Sequence, residues 1–146
     1  MPVDVVTSIE INRPIDAVAV YAQDPGNAAE WYANIVSVDW ETPPPLSLGS
    51  RMAFRARFLG RQLAYTYEIV EFVPGARLVM RTSEGPFPME TTYAWVVAGE
   101  GRTRMTLRNR GEPSGFASLA GPAMAKAMTR ANAKDLARLK ALLEQG

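Results

Sequence analysis

The sequence contains no cysteine and no histidine. Without cysteine there are no disulfides, no thiolate nucleophile and no sulfur metal ligand, and nothing records the redox character of the compartment. Without histidine, a Ser-His-Asp triad, an imidazole base, the facial iron triad and ordinary zinc sites cannot be assembled from this chain. Any catalysis falls to carboxylate, lysine, arginine, tyrosine or bound water, and no metal or cofactor is expected. An excess of one charge is also missing. The 16 Lys and Arg against 15 Asp and Glu leave +1, which gives no general attraction to nucleic acid or to anionic membranes. No apolar run approaches the roughly 20 residues that cross a bilayer, so no integral membrane contact is expected. Met1 to Asn12 lacks the basic and apolar segments of a signal peptide, which points to a cytoplasmic protein. There is no internal repeat, and the proline triplet Pro43-Pro44-Pro45 is the only low-complexity segment.

What is present suits one domain spanning 1–146, since a chain of that length hides about 68 to 70% of its extended surface. The stretch Ser114 to Gln145 reads as one long amphipathic helix, with its regular part from Pro122 to Glu144. Met124, Met128, Ala131, Leu139, Leu142 and Leu143 recur at helical spacing, while Lys126, Arg130, Lys134 and Lys140 fall elsewhere around the axis. Ser114 or Gly115 can open the helix, Gly121-Pro122 interrupts or restarts its first turns, and Gly146 ends the chain. Asn132 and Asp135 fall within or beside the apolar stripe, and a buried polar group must bond the protein or meet something in a cavity. The simpler expectation is a satisfied structural amide for Asn132 and an ion pair with Arg138 or Arg130 for Asp135.

Upstream, Val3 to Asn12 alternates as a half-buried strand, with Val3, Val5, Ile9 and Ile11 on one side. Asn12, Pro14 and Asp16 mark a helix start, with Ile15, Val18 and Ala22 inward. Asp24-Pro25 breaks that helix and caps a second, covering Gly26 to Ala33 and carrying Trp31 and Tyr32. Ile35 to Thr42 alternates Val36, Val38 and Trp40 against Ser37, Asp39 and Glu41, and the proline triplet stops it. Five further strands follow: Arg51 to Leu59, Gln62 to Val73, Arg77 to Thr82, Phe87 to Val97 and Arg102 to Arg110. Their turns fall at Gly60-Arg61, Pro74-Gly75, Glu84-Gly85-Pro86 and Gly99-Glu100-Gly101, which predicts an antiparallel meander. Met52, Phe54, Ala56 and Phe58, then Leu63, Tyr65, Tyr67 and Ile69, then Tyr93, Trp95 and Val97, then Met105 and Leu107, form one oily side. Arg51, Arg55, Arg57 and Arg61 on one strand, and Lys126, Arg130 and Lys134 on the helix, form basic stripes. These read as solvated faces that guard a sheet edge rather than as a docking surface.

Strand, two short helices, six strands and one long C-terminal helix is the element order of the helix-grip fold, an α+β class. The chain resembles the START/polyketide-cyclase superfamily (SRPBCC), in its polyketide cyclase/dehydrase-like branch. The resemblance is carried by Ile11-Asn12-Arg13-Pro14 leading into Val18, Asp24-Pro25 before Trp31, Gly101 to Leu107 in the last strand, and Leu136-Ala137-Arg138-Leu139-Lys140. It implies a curved antiparallel seven-stranded sheet wrapped around the long helix, with a pocket between them for a lipid, polyketide or similar apolar molecule. It places Met52, Phe54, Tyr65, Tyr67, Met80, Tyr93, Trp95 and Met105 on the concave face and Met124, Met128 and Asn132 on the helix above. Trp31 and Tyr32 would lie near the mouth. The implied role is carrier or sensor of a hydrophobic small molecule, with an aromatic polyketide cyclase or dehydratase as the alternative. For the latter, Tyr65, Tyr67 and Tyr93 are candidate hydroxyl donors, Asn132 a carbonyl-polarising donor, and Asp135 a base if it is buried and its pKa raised. A homodimer is compatible with such a chain.

Overall fold

The structure, a computed structural model, describes residues 3–58, 60–85, 87–112 and 121–145. Alternating sequence gives strands β1 (Val3–Ile11), β2 (Ile35–Trp40), β3 (Arg51–Phe58), β4 (Arg61–Val73), β5 (Arg77–Glu84), β6 (Met89–Gly99) and β7 (Arg102–Gly111). Helices α1 (Ile15–Gln23) and α2 (Ala28–Trp31) follow β1, with a 3-10 turn at Pro25–Asn27 between them, and α3 spans Gly121–Glu144. The expected opening of the long helix at Ser114 or Gly115 lies outside the described residues, as do Leu59, Pro86 and Gly146.

All seven strands form one antiparallel sheet in the order β1-β7-β6-β5-β4-β3-β2. β2 to β7 are a meander, while β1 pairs with β7 at the far edge, so α1 and α2 connect the two edges of the sheet. The seven-stranded sheet curls around α3 with two short helices after the first strand, which is the helix-grip architecture. Pro74-Gly75 makes the expected tight turn: Gly75 has φ +74° and the Ala76 amide donates to the Val73 carbonyl at 3.0 Å. Asp24 caps the 3-10 turn by accepting from the Gly26 amide at 2.9 Å, with Pro25 in the first position where no amide is needed. No helix among the described residues is long and apolar enough to cross a membrane.

Several local expectations are corrected. Asn12 does not cap α1, whose N-cap is Pro14 without a side-chain bond; the Asn12 amide instead donates to Glu144 on α3 at 2.8 Å. The second helix is not continuous from Gly26 but divides into the 3-10 turn and the short α2. Val36 is 67% exposed because a bulge between Ile35 and Ser37 makes it the extra residue and turns it off the oily face. β6 begins at Met89 rather than Phe87, after Pro88, which has no amide for the ladder. Val97, expected on the oily side, is 68% exposed near the end of β6 beside an irregularity in its pairing with β7.

Among the described residues the interior holds two apolar clusters. The larger joins Trp31 to Ile11, Val18, Met105, Leu107, Leu136, Leu139 and Leu143, with Trp95, Met52 and Leu78 in the same body. The smaller joins Met124 and Met128 of α3 to Val3 and Val5, with Phe58, Leu63, Phe87 and Met89 against them. The C-terminal half of α3 is also fixed by polar bonds. Lys140 donates to the Glu10 carbonyl, Arg13 to the Leu143 carbonyl and Arg138 to the Glu30 carbonyl.

Leu139 is completely buried, so Leu139→Ala is expected to cost about 2 to 5 kcal/mol in urea unfolding, while Val97→Ala changes stability by no more than about 0.5 kcal/mol.

Candidate functional site

Between the two clusters, α3 and the sheet leave a cavity of about 150 Å³. Its sheet wall is built by cross-strand pairs. Phe54 of β3 stands opposite Tyr65 of β4, their rings parallel with centroids 5.5 Å apart, and the Tyr67 ring meets Phe54 edge-on at 5.4 Å. Met80 of β5 also faces the space, and Thr91 pairs with Asn109 across β6 and β7. From above, Met124, Met128, Ala131, Asn132 and Asp135 of α3 close the space. These positions recur every three or four residues, so one helical stripe supplies the entire ceiling.

Polar groups line part of this apolar space. The Tyr32 and Tyr93 hydroxyls share a hydrogen bond of 2.7 Å. The Tyr67 hydroxyl lies 2.8 Å from the Thr91 hydroxyl, which donates to Asn109 Oδ1 at 2.6 Å. Tyr65 lines the same space. Burial holds all four phenols protonated: it raises Tyr67 to about 12, and Tyr32, Tyr65 and Tyr93 well above the usual phenol value. They are neutral hydrogen-bonding groups at physiological pH.

Asn132 and Asp135 depart from the simpler expectation. Asn132 is 6% exposed, lines the cavity, and its Nδ2 has no hydrogen-bond partner among the described residues, unlike a fully satisfied structural amide. Asp135 is 3% exposed and forms an ion pair with neither Arg138, which donates to the Glu30 carbonyl, nor Arg130. The Ala33 amide donates to Asp135 Oδ1 at 3.0 Å. Loss of water on burial raises its pKa to about 6, against the lowering effects of that amide and of Lys134. The condition set for a base, burial with a raised pKa, is met. Among the described residues no group of three or more carboxylates could hold a metal ion.

Of the thirteen residues that the resemblance placed around a pocket, Tyr32, Phe54, Tyr65, Tyr67, Met80, Tyr93, Met124, Met128 and Asn132 meet at this cavity. Trp31, Met52, Trp95 and Met105 do not line it; they are packed in the larger cluster. The structure adds Thr91, Asn109, Met89 and Thr82 to the wall. Thr91 and Met89 keep the two-residue alternation with Tyr93, and Asn109 keeps it with Leu107, so the same period could have found them. Thr91, Asn109 and Thr82 are polar and so do not stand out in a search for an apolar face, whereas Met89 follows Pro88 at the start of β6.

Because the folded state holds the Asp135 proton up to about pH 6 and the unfolded chain only to about 3.8, the neutral carboxyl favours folding at low pH. That contribution is lost as pH rises from about 4 to about 6. Asp135→Asn, which keeps an acceptor for Ala33, is expected to gain stability relative to the parent across this window, on the order of 2 to 3 kcal/mol. Urea midpoints at several pH values give the measurement, and a constant difference would contradict it.

Residues 2–144 match a protein family described as polyketide cyclase / dehydrase and lipid transport. A comparison with curated protein sequences finds no match. Among solved structures, protein TTHA0849 of Thermus thermophilus is similar with a TM-score of 0.82, 21% identity and 97% of each chain covered. A START superfamily protein of Mycobacterium smegmatis gives a TM-score of 0.83 at 14% identity, again over 97% of each chain. The Zhui aromatase/cyclase of Streptomyces sp. R1128 gives 0.80 at 15% identity, covering 99% of this chain and 95% of its own. With the family match running almost end to end, the chain belongs to the family described as polyketide cyclase / dehydrase and lipid transport.

Proposed function

We propose that the protein carries or senses a small hydrophobic molecule held between α3 and strands β3 to β7. The observation that carries this reading is the cavity itself: Phe54, Met80, Met124 and Met128 present apolar surface to a space that the described side chains leave unfilled. Native interiors are packed nearly as densely as organic crystals, so a space of this size disfavours the unliganded fold. Its volume of about 150 Å³ sets the scale of the guest. A cavity of about 150 Å³ takes a benzene-sized molecule, so a single ring or short chain enters without rearrangement, whereas a sterol or an extended polyketide requires the walls to move. The methionines suit such adjustment, since unbranched, polarisable chains repack around differently shaped guests.

A second reading, cyclase or dehydratase chemistry, is favoured by one observation: the raised carboxyl of Asp135 faces the same cavity as the Tyr32–Tyr93 pair. In its ionised form Asp135 would take a proton from the carbon beside a ketone, while a phenol or the Asn132 amide stabilises the enolate oxygen. Return of that proton to a departing hydroxyl would complete loss of water. Holding a reactive chain folded against itself would supply a further part of the acceleration.

Thermal unfolding in the presence of neutral one- and two-ring compounds, short-chain ketones, quinones and sterols is expected to give a saturable rise in Tm for ring-sized members. Ala131→Phe, which fills the ceiling, is expected to abolish that rise; silence across every class would defeat the binding reading. The catalytic assignments fail if conversion of a poly-β-ketone surrogate survives combined Tyr93→Phe, Asn132→Ala and Asp135→Asn substitution.

A further inference from the structure

The cavity has a distinctive charge pattern. Among its described lining residues Asp135 is the only one charged at neutral pH, and no lysine or arginine faces the space. A buried carboxylate is normally paired, because loss of hydration costs several kcal/mol unless a cation or several donors replace the water. Asp135 has one donor, the Ala33 amide on Oδ1, and forms no ion pair among the described residues. Asn132, one turn earlier on the same stripe, presents to the same space an Nδ2 donor with no partner among the described residues, which suits an acceptor on the guest's body away from its charge. The phenols of Tyr32 and Tyr93 lie near enough to feel the Asp135 charge, and the rings of Phe54, Tyr65 and Tyr67 continue the wall. A carboxylate beside aromatic faces complements an ammonium group, through a charge-assisted hydrogen bond on one side and the negative face of a ring on the other.

We propose that the cavity recognises an amine, a ring-sized apolar body bearing one ammonium group, with Asp135 as its counter-ion and the Tyr32–Tyr93 pair beside the charged head. This rests on the cavity being a binding site, and it identifies the chemical class of the guest. A fatty acid or other carboxylate is disfavoured, since its charge would be buried beside Asp135 without a cation. A neutral alcohol or ketone of the same shape fits, but leaves Asp135 unpaired.

Benzylamine, benzyl alcohol and benzoate share one ring and differ in charge, so calorimetric titration with all three at about pH 7.5 separates these cases. Benzylamine is expected to bind roughly tenfold or more tighter than benzyl alcohol, the gain of a hydrogen bond to a charged group, with benzoate weakest. In Asp135→Asn the ratio of amine to alcohol affinity should fall to about one, with thermal unfolding reporting whether the variant is folded. The parent protein gives an independent check. Near pH 5 Asp135 is mostly protonated, given its pKa of about 6, whereas benzylamine remains charged, so its preference should shrink. The other groups acting on Asp135 are the phenols of Tyr32 and Tyr93, the Ala33 amide and Lys134 on its own helix, and burial keeps both phenols neutral across this range. Alcohol binding equal to or tighter than amine binding, or an amine preference that persists in folded Asp135→Asn or near pH 5, overturns the amine assignment and leaves the cavity's binding role standing. No binding of any of the three overturns both.

Discussion

The contact on which the rest depends is the seating of the C-terminal half of α3 on the sheet. Leu136, Leu139 and Leu143 enter the cluster around Trp31, Met105 and Leu107, each contributing about 1.5 to 3 kcal/mol by leaving water. Bonds from Lys140 and Arg13 to the carbonyls of Glu10 and Leu143 tie the same half to the end of β1 and the turn after it. Earlier along the helix, leucine gives way to Met124, Met128, Ala131 and Asn132, and there the interior is open. An empty space of about 150 Å³ costs about 3 to 4 kcal/mol at the usual rate for cavities. The leucine-packed half offsets that, which is why an incompletely filled interior is compatible with a stable fold.

That division was partly legible in the sequence. The period of the apolar residues located α3, and alternation located the strands and most of the oily face, because both follow from backbone geometry. Alternation cannot say where an inward residue meets a neighbour and where it meets a void. Trp95 and Tyr93 are two residues apart on one face of β6, yet Tyr93 borders the cavity and Trp95 is packed in the core. The difference lies in what stands above them, and so in contacts between parts of the chain far apart in sequence. Val36 was misplaced for a local reason, since a bulge breaks the period and leaves no residue type that announces it.

Asp135 shows the same limit in electrostatics. Helical spacing put Arg138 within reach of it, and an ion pair was the natural expectation. The fold instead supplies Arg138 with the Glu30 carbonyl and Asp135 with the Ala33 amide. Both bonds attach α3 to α2 and the residues after it, so the carboxylate works as a structural tie at one oxygen while it faces the cavity. Spacing along a helix identifies possible pairs; the neighbouring segment decides among them.

The bond between Thr91 and Asn109 has one more effect, on the direction of hydrogens. Because the Thr91 hydroxyl gives its hydrogen to Asn109, its partner Tyr67 must give its own hydrogen to Thr91. The Tyr67 oxygen is left with lone pairs alone to offer inward. A phenol that could otherwise turn to suit either kind of visitor is thereby set as a receiver, by two polar side chains of the neighbouring wall.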